Sequence, residues 1–408
     1  MNANPSEKLA IHGGEPCRRE PFPRRVMYGE PEIARVTEAL RSQTLFQFNG
    51  KLVAEFERKF AEAYGMKYAR AATSGTAAIH TAVGTVDPNP GDEIITAPIT
   101  DFGSIGPILQ QNAIPVFADV RPDTLTMDPA DIEKKITCRT RAIILVHLFG
   151  TAADVDAVLE IARPKGIPVI EDCAQAHRTK YKGRWLGTIG DLGCFSFQES
   201  KHLSTGDGGM VVSNRDDYWE RMRLFVDKGF ARSGWGPRCY QFLGPNYRMS
   251  ELTAAVGLCQ LDKVDGVVQR RKHIGRLLSS LLQPIDGVLP AASLPESEHS
   301  FWLYPLRITH WSSVKFGETL KEEGIPNIPG YTGVPMYLCS KALTEKRTFG
   351  TSGFPIQDRI YAEGLCPVAE KAMKEFITIW FHESYSDDDI RDIAGGVAKV
   401  AENLEWDR

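Results

Sequence analysis

The chain of 408 residues has no apolar run near the roughly 18 residues that cross a bilayer, and no apolar signal core at its start. Arg18, Arg19, Arg24 and Arg25 stand there among prolines instead. It has no excess of one charge: a net −4 offers no basic field for nucleic acid and no strongly acidic tail. Its eight cysteines are scattered and form no C-x-x-C pair, which argues against a zinc ribbon or a disulfide scaffold and for reduced thiols in the cytoplasm. The nine histidines make no H-E-x-x-H or H-x-x-x-H spacing, and there is no G-x-S-x-G elbow and no P-loop. Gly187, Gly190 and Gly193 are evenly spaced but do not complete G-x-G-x-x-G. Internal repeats and low-complexity tracts are absent. No metal site is expected.

What remains is an ordinary globular composition, 42% hydrophobic and 25% charged, in a chain long enough for two domains. Residues 1–29, rich in Pro, Arg and Gly, read as an irregular arm. The spacing of Ile33, Val36 and Leu40 suggests a helix, and that of Val53, Phe56, Phe60 and Ala63 a clearer one. Strand-like runs then alternate with helical patterns: strands at 68–72, 93–98, 114–120, 142–148 and 169–171, and helices at 77–83, 102–110, 129–135 and 155–162. Short apolar runs at 194–197 and 210–212 follow. This alternation predicts βαβ units and a large α/β domain over residues 30–265, its mixed sheet mainly parallel and flanked by helices. Helical patterns at 218–225, 249–261 and 261–282 lead to a smaller C-terminal α+β domain, 266–408. Its strands are expected at 302–308 and 376–381, and its helices at 313–324 and, after Ser386, at 387–404.

Chemistry concentrates between Ile167 and Val212. The apolar run 167–170 stops at Glu171 and Asp172, and a second run delivers Lys201 into a loop of small residues. Ligands of open α/β sheets sit beyond the carboxyl ends of strands. Lys201 reads either as a solvated surface charge or as a shielded Schiff-base amine, bracketed by Phe195, Phe197 and Gly206-Asp207-Gly208-Gly209. Asp172 reads as a strand-end acid or as the carboxylate that keeps a pyridine nitrogen protonated. Thr73-Ser74-Gly75-Thr76, between a strand and a helix, fits either an anion site or a plain N-cap.

TSGTAA (73–78), VHLFG (146–150), EDCAQAH (171–177), GDLGCFSFQESKHLSTGDGG (190–209) and NYRMSE (246–251) resemble the fold-type I, pyridoxal-phosphate-dependent sugar aminotransferases of the DegT/DnrJ/StrS family, in order and spacing. The resemblance implies that Lys201 holds pyridoxal 5'-phosphate as a Schiff base and then moves the proton between substrate and cofactor. It implies that Asp172 pairs with the ring nitrogen, Gln175 with the ring hydroxyl, and that Phe102 stacks on the ring. Ser74, Gly75, Thr76 and Ser196 would bind the phosphate, joined by Asn246 from the neighbouring subunit of a homodimer. His147 lies near the ring in this pattern, although a core histidine is the simpler reading.

Two departures stand out. Asp101 replaces the small residue expected before the stacking aromatic, and FSFQESK is closer to the branch acting on cyclitols and related ketones than to the nucleotide-sugar branch. Trp380-Phe381-His382 leans the same way. The expected function is transfer of an amino group from glutamine or glutamate to a keto-cyclitol or keto-sugar, with no nucleic-acid or membrane partner. Two alternatives stay open. A sugar dehydratase of this fold replaces the lysine with histidine, whereas here His202 merely follows Lys201. A non-catalytic regulator usually carries a DNA-binding module, and neither terminus offers one.

Overall fold

In the computed structural model, residues 8–232 and 239–407 are described; residues 1–7 of the arm lie outside them. Seven strands form the main sheet: β1 (Tyr68–Ala72), β2 (Glu93–Thr96), β3 (Ile114–Phe117), β4 (Thr140–Val146), β5 (Val169–Asp172), β6 (Leu192–Ser196) and β7 (Gly209–Ser213). Their order is β1-β7-β6-β5-β4-β2-β3. From β6 to β3 every pair is parallel, and β7 alone runs antiparallel to both its neighbours. The strands are apolar on both faces because helices cover both, which is why their sequences show runs and not alternation. β5 and β6 end side by side, with Asp172 paired to Cys194. The end of β5 and the turn after β6 are thereby brought together.

Helices α1 (Glu30–Arg41), α2 (Leu52–Tyr64) and α3 (Gly75–Val86) precede or follow β1. α3 starts on Ser74, whose Oγ accepts from the Ala77 N–H at 3.0 Å, and nearly every residue of it is buried. α1 departs from expectation. Its apolar stripe faces outward, with Ile33 58% and Leu40 49% exposed, while Glu32 and Ala39 are buried. The reason is polar: Glu32 reaches Gln260 and Lys263 on the long helix behind it.

That long helix, α4 (Glu251–Leu282), is one continuous element of 32 residues, where the sequence pattern suggests two segments. At 1.5 Å per residue it is about 48 Å long. Its first part packs into the core beneath the main sheet as far as Val268, and its second part, from Ile274, into a separate core. This second core lies under a sheet of β8 (Val288–Leu289), β9 (Tyr304–Ile308), β10 (Asn327–Pro329) and β11 (Phe376–Ile379), ordered β8-β9-β11-β10 and antiparallel throughout. The last helix, α5 (Asp387–Asn403), opens with a capping box between Ser386 and Asp389 and buries Ile390, Ile393, Val397 and Val400.

The arm, irregular apart from a turn at Ala10–His12, is strapped onto this second part. Buried Glu323 accepts from the N–H groups of Ala10 (2.8 Å) and Cys17 (3.0 Å) and from Lys399 Nζ (2.9 Å). Among the described residues no helix is long and apolar enough to cross a membrane.

Candidate active site

A cavity of about 350 Å³ opens where β5 and β6 end. Ser74, Gly75, Thr76, Asp172, Gln175, Ser196 and Lys201 all line it. Phe102 and Asn246 do not. Phe102 sits in a short turn, Phe102–Ser104, that interrupts the helix expected over 102–110, and its ring lies against Gly106. Asn246 is exposed and paired through its backbone with Asp227.

Lys201 is 8% exposed, and its Nζ stands 3.4 Å from the centre of the Trp302 ring. Nζ has no hydrogen-bond partner among the described residues. Burial pulls the amine down to about 7, against the opposing charges of Asp101 and Asp172. The turn that carries it is braced at every residue. Gln198 Oε1 accepts from Ser200 N–H (2.8 Å) and O–H (2.6 Å), and Trp302 Nε1 donates to the Ser200 carbonyl at 3.1 Å. Arg25, from the arm, donates to the carbonyls of Glu199 (2.8 Å) and Lys201 (2.9 Å).

Asp172 is buried at the end of β5. Ser104 Oγ donates to its Oδ2 at 2.7 Å and the Ala174 N–H to its Oδ1 at 3.0 Å. Since Ser104 spends its proton on Asp172, Thr100 Oγ1, 2.7 Å away, is the donor in their contact. Burial pushes the Asp172 carboxyl up, while these donors and the Lys201 charge hold it back. Gln175 Oε1 accepts from the Phe149 N–H at 2.7 Å. Phe149 takes φ 56° to make that bond, a conformation uncommon for a bulky residue. The Gln175 amide NH₂ is thereby left as the donor end, beside Tyr331.

The turn at 74–76 depends on close approach. A Cβ on Gly75 would meet Ser196 Cβ at 2.6 Å, and one on Gly209 would meet the Ser74 carbonyl at 2.2 Å. Glycine at both positions lets the start of α3 sit directly against β6 and β7. The first turn of a helix leaves N–H groups without helical acceptors, next to the Ser74, Thr76 and Ser196 hydroxyls.

His147 resolves as a core residue. Its Nδ1 accepts from the Ala153 N–H, so Nε2 donates to Glu171 at 3.0 Å. Glu171 also takes the N–H groups of Gly187, Ile189 and Gly190, and its work is to hold that turn. His177 and His202 are neutral by burial and donate to the Ser196 and Ser300 carbonyls. Thr100, Ser104, Trp302 and Tyr331 are among the cavity residues that the sequence pattern did not single out. Only Ser104 had a local signal, the Asp101 turn cap whose carboxylate accepts from the Gly103 N–H.

Residues 27–398 match the DegT/DnrJ/EryC1/StrS aminotransferase family. The spore coat polysaccharide biosynthesis protein SpsC of Bacillus subtilis is 32% identical over 396 residues, covering 93% of this chain and 96% of that protein. A putative L-glutamine:3-amino-2,3-dideoxy-scyllo-inosose aminotransferase of Micromonospora echinospora is 32% identical over 416 residues, 98% of each. Among solved structures, 3-amino-5-hydroxybenzoic acid synthase superposes with a TM-score of 0.84 at 27% identity, over 92% of this chain and 97% of that one. The architecture is that of fold type I. With a buried lysine, a buried strand-end aspartate and the start of α3 meeting in one cavity, the chain belongs to the DegT/DnrJ/EryC1/StrS family and is an aminotransferase dependent on pyridoxal phosphate.

Proposed function

We propose that this enzyme moves an amino group from glutamine or glutamate onto the keto group of a cyclitol or sugar, as a cytoplasmic homodimer. The single observation behind the reading is the convergence of Lys201, Asp172 and the turn at 74–76 on one cavity. The donor set suits pyridoxal phosphate. Hydroxyls and helix-start N–H groups meet the needs of a phosphate, and Gly75 marks a cradle that any Cβ would fill. Asp172 offers a fixed acceptor for the ring nitrogen, and Gln175 a donor for the ring oxygen.

When bound, the cofactor supplies an aldehyde that takes up amines and a ring that stores the electron pair they release. The rest belongs to the protein. With its amine near 7, a large share of Lys201 is unprotonated at neutral pH and can attack or accept a proton at Nζ. The Trp302 face favours the ammonium form and shields it from water, so the proton can be handed back. Asp172, oriented by Ser104 and Ala174, would keep a proton on the ring nitrogen.

Two observations support a homodimer. Asn246 is exposed and does not line its own chain's cavity, and Val26 (75% exposed), Ile33, Leu40, Phe46, Phe48 and Leu243 (95%) are apolar side chains left uncovered by this chain. The divisions at 29 and 265 are part of the same proposal; the change of core between Val268 and Ile274 of α4 supports the second of them, while Leu9 of the arm packs into the second core. Purified enzyme is expected to be yellow, and borohydride should fix the cofactor on Lys201. Lys201→Ala should abolish transamination; wild-type turnover in that variant would refute the reading.

A further inference from the structure

We infer that Glu383 is a positioning residue of the transamination, holding the two halves of the Lys201–Trp302 pair against each other through two arginines. The inference rests on Lys201 as the reacting amine. Glu383 follows Trp380-Phe381-His382, between β11 and α5, and is not one of the residues that line the cavity. Its carboxylate is shared between two guanidinium groups. Oε1 accepts from Arg25 Nε at 2.7 Å, and Oε2 accepts from Arg271 Nε at 2.9 Å. The far ends of the two arginines grip different stretches of backbone. Arg25 donates to the carbonyls of Glu199 and Lys201, in the turn that bears the amine. Arg271, buried on α4 between Val268 and Ile274, donates to the carbonyls of Trp302 (3.3 Å) and Phe301 (3.5 Å), in the bend that bears the indole.

Two observations separate this clamp from ordinary packing. Phe301 holds φ 51°, a conformation that a bulky residue keeps only where its surroundings fix it, and Trp302 follows directly. The other is the chemistry of the carboxylate. Against its burial, Arg271 and Arg25 hold the Glu383 carboxyl below the usual range, so it stays charged and serves both. A carboxamide there would offer one acceptor oxygen and turn its NH₂ toward the other arginine. Glu383→Gln therefore opens one side of the clamp at nearly constant volume. Its effect on Lys201 tells position from charge. Burial is what lowers the amine; Asp101 and Asp172 oppose it and Arg271 adds to it, while Asp207 and Tyr331 line the same cavity. The nearby His177 and His202 are neutral by burial. If Glu383 acts by position, the indole is released, water reaches Nζ and the amine holds its proton more tightly. If it acts by charge alone, an unneutralised Arg271 drives the proton off.

The test labels lysines of the full-length, cofactor-free protein with acetic anhydride as a function of pH and reads the Lys201 peptide by mass. In Glu383→Gln the labelling midpoint should rise by about one pH unit above the wild-type value of about 7. Glu383→Asp keeps the charge but falls short of the arginines, so the midpoint should rise there too. In the holoenzyme, turnover at pH 7 should then fall about fivefold and recover at higher pH, because the unprotonated share drops from about one half to about one tenth. Trp302→Leu should raise the midpoint by itself, and adding Glu383→Gln to it should change little more. An unchanged midpoint in both Glu383 variants overturns the inference, and so does a fall in Glu383→Gln. A Glu383→Gln effect that persists in full beside Trp302→Leu overturns it as well. The labelling involves neither substrate nor turnover, so these outcomes stand apart from the transamination reading, which falls only if Lys201→Ala keeps wild-type turnover.

Discussion

Lys201→Met is expected to stabilise the cofactor-free protein while destroying its activity. The lysine is the acid–base group of the proposed reaction, yet in the empty fold it is a buried amine with no hydrogen-bonded partner among the described residues. Its folded value of about 7 lies below the 10.5 of an ordinary lysine, so the unfolded chain binds the proton more tightly. The penalty is therefore fully present below about pH 7, fades as pH rises, and vanishes above 10.5. At 1.36 kcal/mol per pH unit, it amounts to about 5 kcal/mol at pH 6, about 4 at pH 7.5 and about 1 at pH 9.5. Methionine fills similar volume, keeps contact with Trp302 and carries no charge. Urea unfolding of the two cofactor-free proteins at these three pH values measures the gap. The variant should be the more stable at pH 6 and should lose most of that advantage by pH 9.5. A gap independent of pH, or a variant less stable than wild type at pH 6, refutes the account of Lys201 as a desolvated amine.

Ser104→Ala removes one of the two protein donors to buried Asp172, a loss on the order of 1–3 kcal/mol. Pyridoxal phosphate affinity or kcat should drop by tenfold or more, and Thr100→Val, one bond further back, should do less; wild-type values in Ser104→Ala would refute the relay. Gly75→Ala forces a Cβ to within 2.6 Å of Ser196 Cβ, so cofactor affinity measured by absorbance titration should weaken sharply. Adding Ser196→Gly to Gly75→Ala should recover part of that loss by clearing the space, and no recovery would place the damage elsewhere.

The parts of the fold legible in the sequence are those where burial decides everything. β4 and β5 are buried on both faces over their apolar runs (142–146 and 169–170), which announce parallel strands, and Ser386 announces the start of α5 through its capping box. α1 misleads because its periodic apolar residues face outward while Glu32 is satisfied inside by Gln260 and Lys263. The seven cavity residues near β1, β5 and β6 were within reach because short motifs hold them together along the chain. Trp302 and Tyr331 were not. They arrive from around the second sheet, on backbone with no motif, and Trp302 reads as the first residue of a strand that in fact starts at Tyr304. Phe301, with φ 51°, turns the chain there and delivers the indole to Lys201.

The strapped arm has a consequence for how the enzyme comes into being. Residues 10–25 leave the ribosome long before Glu323, Glu383 and Lys399, which grip them. The main sheet and the turn bearing Lys201 are thus made long before Arg25 can find both Glu383 and the Lys201 carbonyl. A nascent chain stalled short of residue 383 would hold the sheet and the lysine turn, with Arg25 lacking its anchor on Glu383. The last brace on the Lys201 turn to be secured is thus the one from Arg25, fixed by a residue made about 180 positions after the lysine itself.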